Sequence, residues 1–137
     1  PMWLREREIE TRQVEPVDLL RAQKLPPYRS TWMKQTGKLP SDERIHQALL
    51  LYVSDMGLLG AAVNPHEVNF MSKKFQSASL DHVMWFHGKV NFNNWVLHHM
   101  HSPISQNARG FSRGSIYTKA GKLIASTAQE GLMRIWD

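Results

Sequence analysis

The stretch SDERIHQALLLYVSDMGLLGAAVNP, Ser41 to Pro65, decides the architecture. Ser41 offers a side-chain cap, Asp42 and Glu43 place acids where a helix dipole favours them, and Asn64-Pro65 ends the run. After Gln47 the stretch is apolar nearly all round: Ala48, Leu49, Leu50, Leu51, Tyr52, Val53, Met56, Leu58 and Leu59. A helix without a polar face is ordinarily buried on several sides. Residues 41–64 are therefore predicted to form a central helix.

Strand signals lie on either side. Upstream, Glu8 to Val14 reads as an exposed strand ending at Pro16, Val17 to Gln23 is ambiguous, and Tyr28 to Thr36 mixes β-branched, aromatic and basic residues as an edge strand does. Downstream, Ser77 to His87, Trp95 to Ser102, Gly110 to Thr118 and Lys122 to Ile135 are β-prone. Turn signals at Asn91 to Asn94, Ser102 to Asn107 and Ala120-Gly121 separate them. The order is strand, strand, helix, then an antiparallel meander over residues 77–135. One helix wrapped by a curved antiparallel sheet of about six strands is an α+β layout.

Composition narrows the class. The 137 residues, 42% hydrophobic and 21% charged, suit one globular domain spanning 1–137, with residues 1–40 as opening strands and connection. No uninterrupted apolar run nears the roughly 20 residues that cross a bilayer, so no membrane span is expected. The absence of cysteine excludes a disulfide scaffold, a thiol nucleophile and a zinc ribbon. A start at Pro1 without a signal peptide reads as the edge of a cut, which makes this one soluble domain of something longer.

The net charge is +5, and the excess is concentrated. Lys73, Lys74, Lys89, Arg109, Arg113, Lys119 and Lys122 are accompanied by a single acid, Asp81. Such a segment is either a solvated surface or a site for a polyanion: nucleic acid, an anionic membrane, or a phosphorylated cofactor such as coenzyme A. No recognition-helix, zinc-finger or RNP-like pattern accompanies it, so nucleic acid is set aside.

Three polar residues interrupt apolar segments. Asp55 stands in the central helix, where burial would raise its pKa and suit it to general-base work. The competing reading is a carboxylate tied down by backbone donors or an arginine. Gln129 lies in the otherwise small and apolar last strand, either satisfying a buried backbone group or positioning a water or carbonyl. Ser79 opens the strand to His87 and alone reads as a capping or ladder residue.

Other combinations fail. His99 and His101 share one strand face while His98 takes the other, too few convergent ligands for a metal site. A Ser79–Asp81–His82 triad is rejected, because adjacent strand residues point to opposite faces and no G-x-S-x-G elbow is present. Trp85, Phe86, Phe92 and Trp95 read as packing residues that also suit an acyl-chain path, and the glycines at 110, 114, 121 and 131 as turn or bulge markers.

Several strings carry a resemblance. RIHQ at 44–47 running into YVSD at 52–55, SLDHVMWFH at 79–87 and ASTAQEG at 125–131 look like the C-terminal half of the acyl-CoA thioesterase II (TesB-type) family. Ser102-Pro103, with ARGF at 108–111 and Arg113-Gly114, matches a further stretch of that family. The resemblance covers about residues 40 to 135, the opening forty matching more loosely. It implies a hot-dog fold and hydrolysis of medium- or long-chain fatty acyl-CoA to free acid and CoA.

The resemblance also implies a site. In that family an Asp, a Ser or Thr and a Gln hold and activate the attacking water, and the matching positions are Asp55, Ser79 and Gln129. No metal, cofactor or covalent acyl-enzyme is implied. Arg109 and Arg113 are the candidates for CoA's phosphates. The family's whole chain is a tandem of two hot-dog domains, so this unit is expected to pair with a second one or to form a homo-oligomer. The compartment implied is the bacterial cytoplasm or the eukaryotic peroxisome, the latter preferred, although RIWD at 134–137 is no Ser-Lys-Leu ending.

Two rivals stand beside this reading. An enoyl-CoA hydratase of the same fold needs a His where this chain has Gly60. A non-catalytic half-domain serving assembly or acyl-CoA binding fits a unit cut from its companion.

Overall fold

The computed structural model describes residues 8–18 and 20–136; residues 1–7, 19 and 137, part of the expected opening segments and the last position, lie outside the described residues. Helix α1 spans Glu43–Val63. Its cap is Asp42 rather than Ser41: the Asp42 backbone is extended and its carboxylate accepts the Arg44 N–H at 3.0 Å. The same carboxylate holds the Arg44 guanidinium at 2.8 Å, a second anchor a serine lacks. Beyond Val63 the chain tightens into one 3₁₀ turn, Asn64–His66, with Pro65 in its first turn.

The strands are β1 (Ile9–Gln13), β2 (Tyr28–Gln35), β3 (Phe75–Ser79), β4 (Val83–Phe86), β5 (Val96–Gln106), β6 (Arg109–Thr118) and β7 (Leu123–Ile135). They form one antiparallel sheet in the order β1-β2-β5-β6-β7-β3, with β4 also on β7. Strand β3 pairs with residues 131–135 of β7 and β4 with residues 125–128. The seven segments thus fill six sheet positions, and α1 lies against the sheet's inner face.

Several expectations are corrected. Strand β2 is no edge, since β1 covers it; its two basic residues, Arg29 and Lys34, are both only partly exposed, and Lys34 lies over the Trp95 ring. Residues 77–135 are not one meander. Only β5, β6 and β7 follow each other as hairpins, while β3 and β4 flank the far side of β7. The chain then crosses to β5 through buried Phe92, whose N–H is accepted by His46 Nδ1 at 2.9 Å. Strand β5 continues past Ser102 because a register shift between His101 and Ile104 absorbs Pro103. The turn is only Asn107-Ala108, both at positive φ.

The core joins Leu50 and Val53 of α1 to Val90, Phe92, Val96, Ile116 and Ile124. Of the glycines, Gly121 does serve a turn, at φ 90°. Gly131 instead lets the helix approach β7, since a Cβ there would meet Leu59 Cδ1 at 2.6 Å.

Helix α1 is not enclosed as predicted. Its inner side is fully buried, but Tyr52 and Met56 are 65% and 63% exposed, with Ile45 and Leu51 beside them. By length and composition the helix is long and apolar enough to cross a membrane; half of it is buried within the fold, the position of a core helix. Trp85 and Phe86 are likewise exposed on β4, while Phe92 is core.

Candidate active site

The site is built where β3 breaks into β4. Strand pairing stops at Ser79 opposite Gly131 and resumes at Val83 opposite Ala128, so three residues, 80–82, face two on β7. Backbone and side chain together pin the bulge. Leu80 N–H donates to the Glu130 carbonyl at 2.9 Å, and Asp81 Oδ1 accepts the Glu130 N–H at 2.6 Å. This bulge resets the side-chain alternation. Ser79 and His82, which a continuous strand would send to opposite faces, both reach Gln129.

The resulting network has a direction. Ser79 Oγ lies 3.1 Å from Asp55 Oδ1 and 2.9 Å from Gln129 Nε2. A carboxylate only accepts, so the Ser79 proton goes to Asp55 and its oxygen accepts from the Gln129 amide. Gln129 then turns Oε1 toward His82 Nδ1 at 2.8 Å, and Nδ1 carries the proton. The other ring nitrogen meets Ser54 Oγ at 2.8 Å, one helix residue before Asp55. The chain His82 → Gln129 → Ser79 → Asp55 delivers a hydroxyl to one carboxylate oxygen. Oδ2 has no partner among the described residues and is open to a water.

The burial of these groups differs. Gln129 is 2% exposed, as its apolar strand predicts, yet it bonds side chains rather than a backbone group. Ser79 ends β3 instead of opening a strand, and is exposed. Asp55 departs most: its side chain is 47% exposed among the described residues, where burial was expected. The cause is the open face of α1, on which Asp55 lies between Tyr52 and Met56. Beneath the site, His98 on β5 is 1% exposed with Nε2 3.0 Å from Thr127 Oγ1. Burial, with His82 and His99 nearby, pushes its pKa down to about 3.

His82, weighed only in the rejected triad, and Ser54 were not expected at the site, because Ser77 to His87 was treated as one strand. The available signal was Asp81 and His82 as consecutive polar residues within a strand pattern. Their departure from alternation marks a break. With Nδ1 bonding Gln129 and Nε2 bonding Ser54, His82→Phe takes one hydrogen bond from each of two buried partners, of which Ser54 keeps the Leu51 carbonyl and Gln129 keeps Ser79. It is expected to destabilise the fold by about 1–3 kcal/mol. Urea denaturation beside His101→Phe, which loses no side-chain hydrogen bond, measures the difference.

Arg109 and Arg113 are not brought to this cluster. Both point outward from β6, whereas Ser112 between them is buried and sits across from Gln129. Arg109 pairs with Glu130 at 3.3 Å on that outer face, which also fixes Glu130 away from the site. Among the described residues no three His, Cys, Asp or Glu side chains gather as metal ligands.

Comparison with known proteins places these residues in context. The sequence profile of a family described as acyl-CoA thioesterase matches residues 4–132. Acyl-CoA thioesterase 2 of Haemophilus influenzae is 41% identical over 111 residues, which cover 81% of this chain and 39% of that protein. The crystal structure of the acyl-CoA thioesterase II TesB2 from Mycobacterium marinum superposes with a TM-score of 0.78 at 32% identity, covering 93% of this chain and 49% of that one. A hot-dog protein from Alicyclobacillus acidocaldarius shares the fold, at a TM-score of 0.70 and 16% identity, over 93% of this chain and 46% of that one. The chain spans about two-fifths of the length of the curated relatives it matches.

Proposed function

The chain belongs to the acyl-CoA thioesterase family, a hot-dog fold, and from that premise we propose that it hydrolyses fatty acyl-CoA to free acid and CoA with Asp55 as general base. The observation that carries this reading is the directed network ending on Asp55. A water at Oδ2 gives its proton to the carboxylate as its oxygen attacks the thioester carbon. The C–S bond then breaks, and CoA leaves as a thiolate that recovers the proton from Asp55. Ser79, aligned by Gln129, holds the carboxylate plane, so the base meets the water at one angle. Gln129 is fixed in turn by His82, whose role is positioning.

The half-exposed Asp55 has a place in this proposal. The apolar face around it, Ile45, Leu51, Tyr52 and Met56, is where a second hot-dog unit would sit, desolvating the carboxylate and walling a path for a medium or long acyl chain. CoA's phosphates are assigned to the basic segment, with Arg113 ahead of Arg109, whose guanidinium Glu130 engages. The same open face favours the second reading, a half-domain without activity of its own.

The test is thiol release from a long-chain acyl-CoA, run with gel filtration on this unit alone and joined to a companion hot-dog domain. Release by either form supports hydrolysis, and release only by the joined form assigns site closure to the partner. No release by either, with folded protein, leaves the half-domain reading. Hydration of crotonyl-CoA is expected to be absent in both.

A further inference from the structure

A second feature lies across α1 from the Asp55 cluster. Between the helix, β1, β2 and β5 is a cavity of about 450 Å³, within the roughly 300–1,000 Å³ of small-ligand sites. Its walls are largely apolar, with Met33, Val53, Met56 and Met100 contributing. Arg29 also faces it.

The state of that arginine is unusual. The Arg29 Nε is buried without a hydrogen-bond partner, and no carboxylate lies within ion-pair distance among the described residues. Glu15, the acid that acts on it electrostatically, gives its carboxylate to the Ser30 N–H instead. Burial lowers the Arg29 pKa. Arg29 is partly buried, and an Nε–H left without a partner inside the fold is costly, a cost that an anion from outside the chain would offset. Space for it is made by Gly60: a Cβ there would collide with a terminal nitrogen of Arg29. The position where a hydratase would carry its histidine is thus filled by this guanidinium.

We propose that this cavity binds an apolar chain ending in a single carboxylate, with Arg29 gripping the carboxylate. Methionine walls suit a flexible hydrocarbon, and the planar guanidinium suits a carboxylate bidentately. A phosphate fits less well. The lining carries one guanidinium against the acid Glu8, a balance that suits a singly charged anion better than a dianion. Such a carboxylate has two sources: the far end of a dicarboxylic acyl chain whose other end is the thioester, or a free fatty acid. The first rests on the thioesterase reading above; the second does not.

The experiment uses this chain, alone and joined to a companion hot-dog domain, as wild type and as Arg29→Met, with Arg29→Lys as a second variant that keeps the charge but loses the fork. Kinetics compare decanoyl-CoA with the mono-CoA thioester of decanedioic acid, and calorimetry measures free decanoate and decanedioate. If the substrate's far end is bound, Arg29→Met lowers the decanedioyl-to-decanoyl ratio of kcat/KM about tenfold or more, with a smaller fall in Arg29→Lys. If a free fatty acid is bound, the ratio holds while decanoate binding weakens at least tenfold. Either result supports the site and names its source. An unchanged ratio together with unchanged calorimetry overturns it, as does an equal loss on both thioesters without loss of acid binding. Wild type that cleaves neither thioester counts against the thioesterase reading, and calorimetry then still decides the Arg29 site. Because Arg29→Met removes a buried Nε–H that has no partner, the thermal midpoint is expected to stay unchanged or rise, which separates lost binding from misfolding.

Discussion

Asp55→Asn is expected to lower turnover of a long-chain acyl-CoA by about 10²–10⁴, the range general-base catalysis supplies, with the fold intact. Asparagine keeps the shape of the side chain, and its oxygen still accepts the Ser79 hydroxyl now 3.1 Å from Oδ1. What it loses is the capacity to take a proton from water. Because the Asp55 side chain is 47% exposed and accepts one hydrogen bond, the stability change is expected to stay within about 1 kcal/mol. Binding of a non-hydrolysable acyl-CoA analogue is expected to persist, which places the loss in kcat rather than KM. Wild-type turnover in this variant, by thiol release on the same substrate, would remove Asp55 from the proposal.

The companions of Asp55 are expected to show graded losses. Ser79→Ala removes the donor to Oδ1 but leaves the base, and Gln129→Leu also strips the partner from His82 Nδ1. The directed network predicts coupling: once Ser79 is alanine, the further effect of Gln129→Leu on kcat shrinks, because Gln129 reaches Asp55 through that hydroxyl. A double-mutant cycle measures this non-additivity.

How much of this was legible in the sequence depends on which force writes each feature. The helix was, because a capped apolar run closed by Asn64-Pro65 reports burial and termination in local residue types; only the choice between Ser41 and Asp42 turned on a tertiary detail, the Arg44 side chain. Strand positions were also legible, since β-prone runs between turn signals reflect the same local preferences. Pairing order was not. Nothing local says that β3 and β4 both return to β7, because that is fixed by how the sheet curls around α1. The bulge at residues 80–82 is likewise a product of pairing with Glu130, and missing it hid His82. The suspicion attached to Asp55 was sound as to position and wrong as to burial. A helix apolar nearly all round was read as buried on several sides, whereas one face is a surface that the described residues leave open. Arg29 gave no sequence signal, since one arginine in a β-prone run reads as an ordinary exposed position.

Acid should unfold this protein from beneath its site. His98 is neutral in the fold, with a pKa pushed down to about 3, whereas in the unfolded chain it titrates near the ordinary histidine value of about 6.5. Above that value neither state binds the proton, and His98 contributes no pH dependence. Between about 6.5 and 3 the unfolded chain takes a proton that the folded one refuses. Stability therefore falls as pH drops, by about 1.4 kcal/mol per pH unit from this residue. The environment enforces the refusal, since His98 is 1% exposed and its Nε2 is bonded to Thr127. A His98→Gln variant keeps a polar group for Thr127 but has nothing to titrate. It is expected to be less stable than wild type at pH 7.5 and to lose less stability between pH 6.5 and 5, so that the two unfolding curves converge. The measurement is urea denaturation at half-unit pH steps, with the difference between the proteins isolating one proton from the other histidines and the carboxylates. Parallel slopes would mean that His98 titrates normally in the folded protein. Because His98 lies near His82, which fixes Gln129, loss of thioester hydrolysis below pH 6 is expected to follow the unfolding curve. Activity that returns in full on restoring pH 7.5, with circular dichroism unchanged throughout, would break that link.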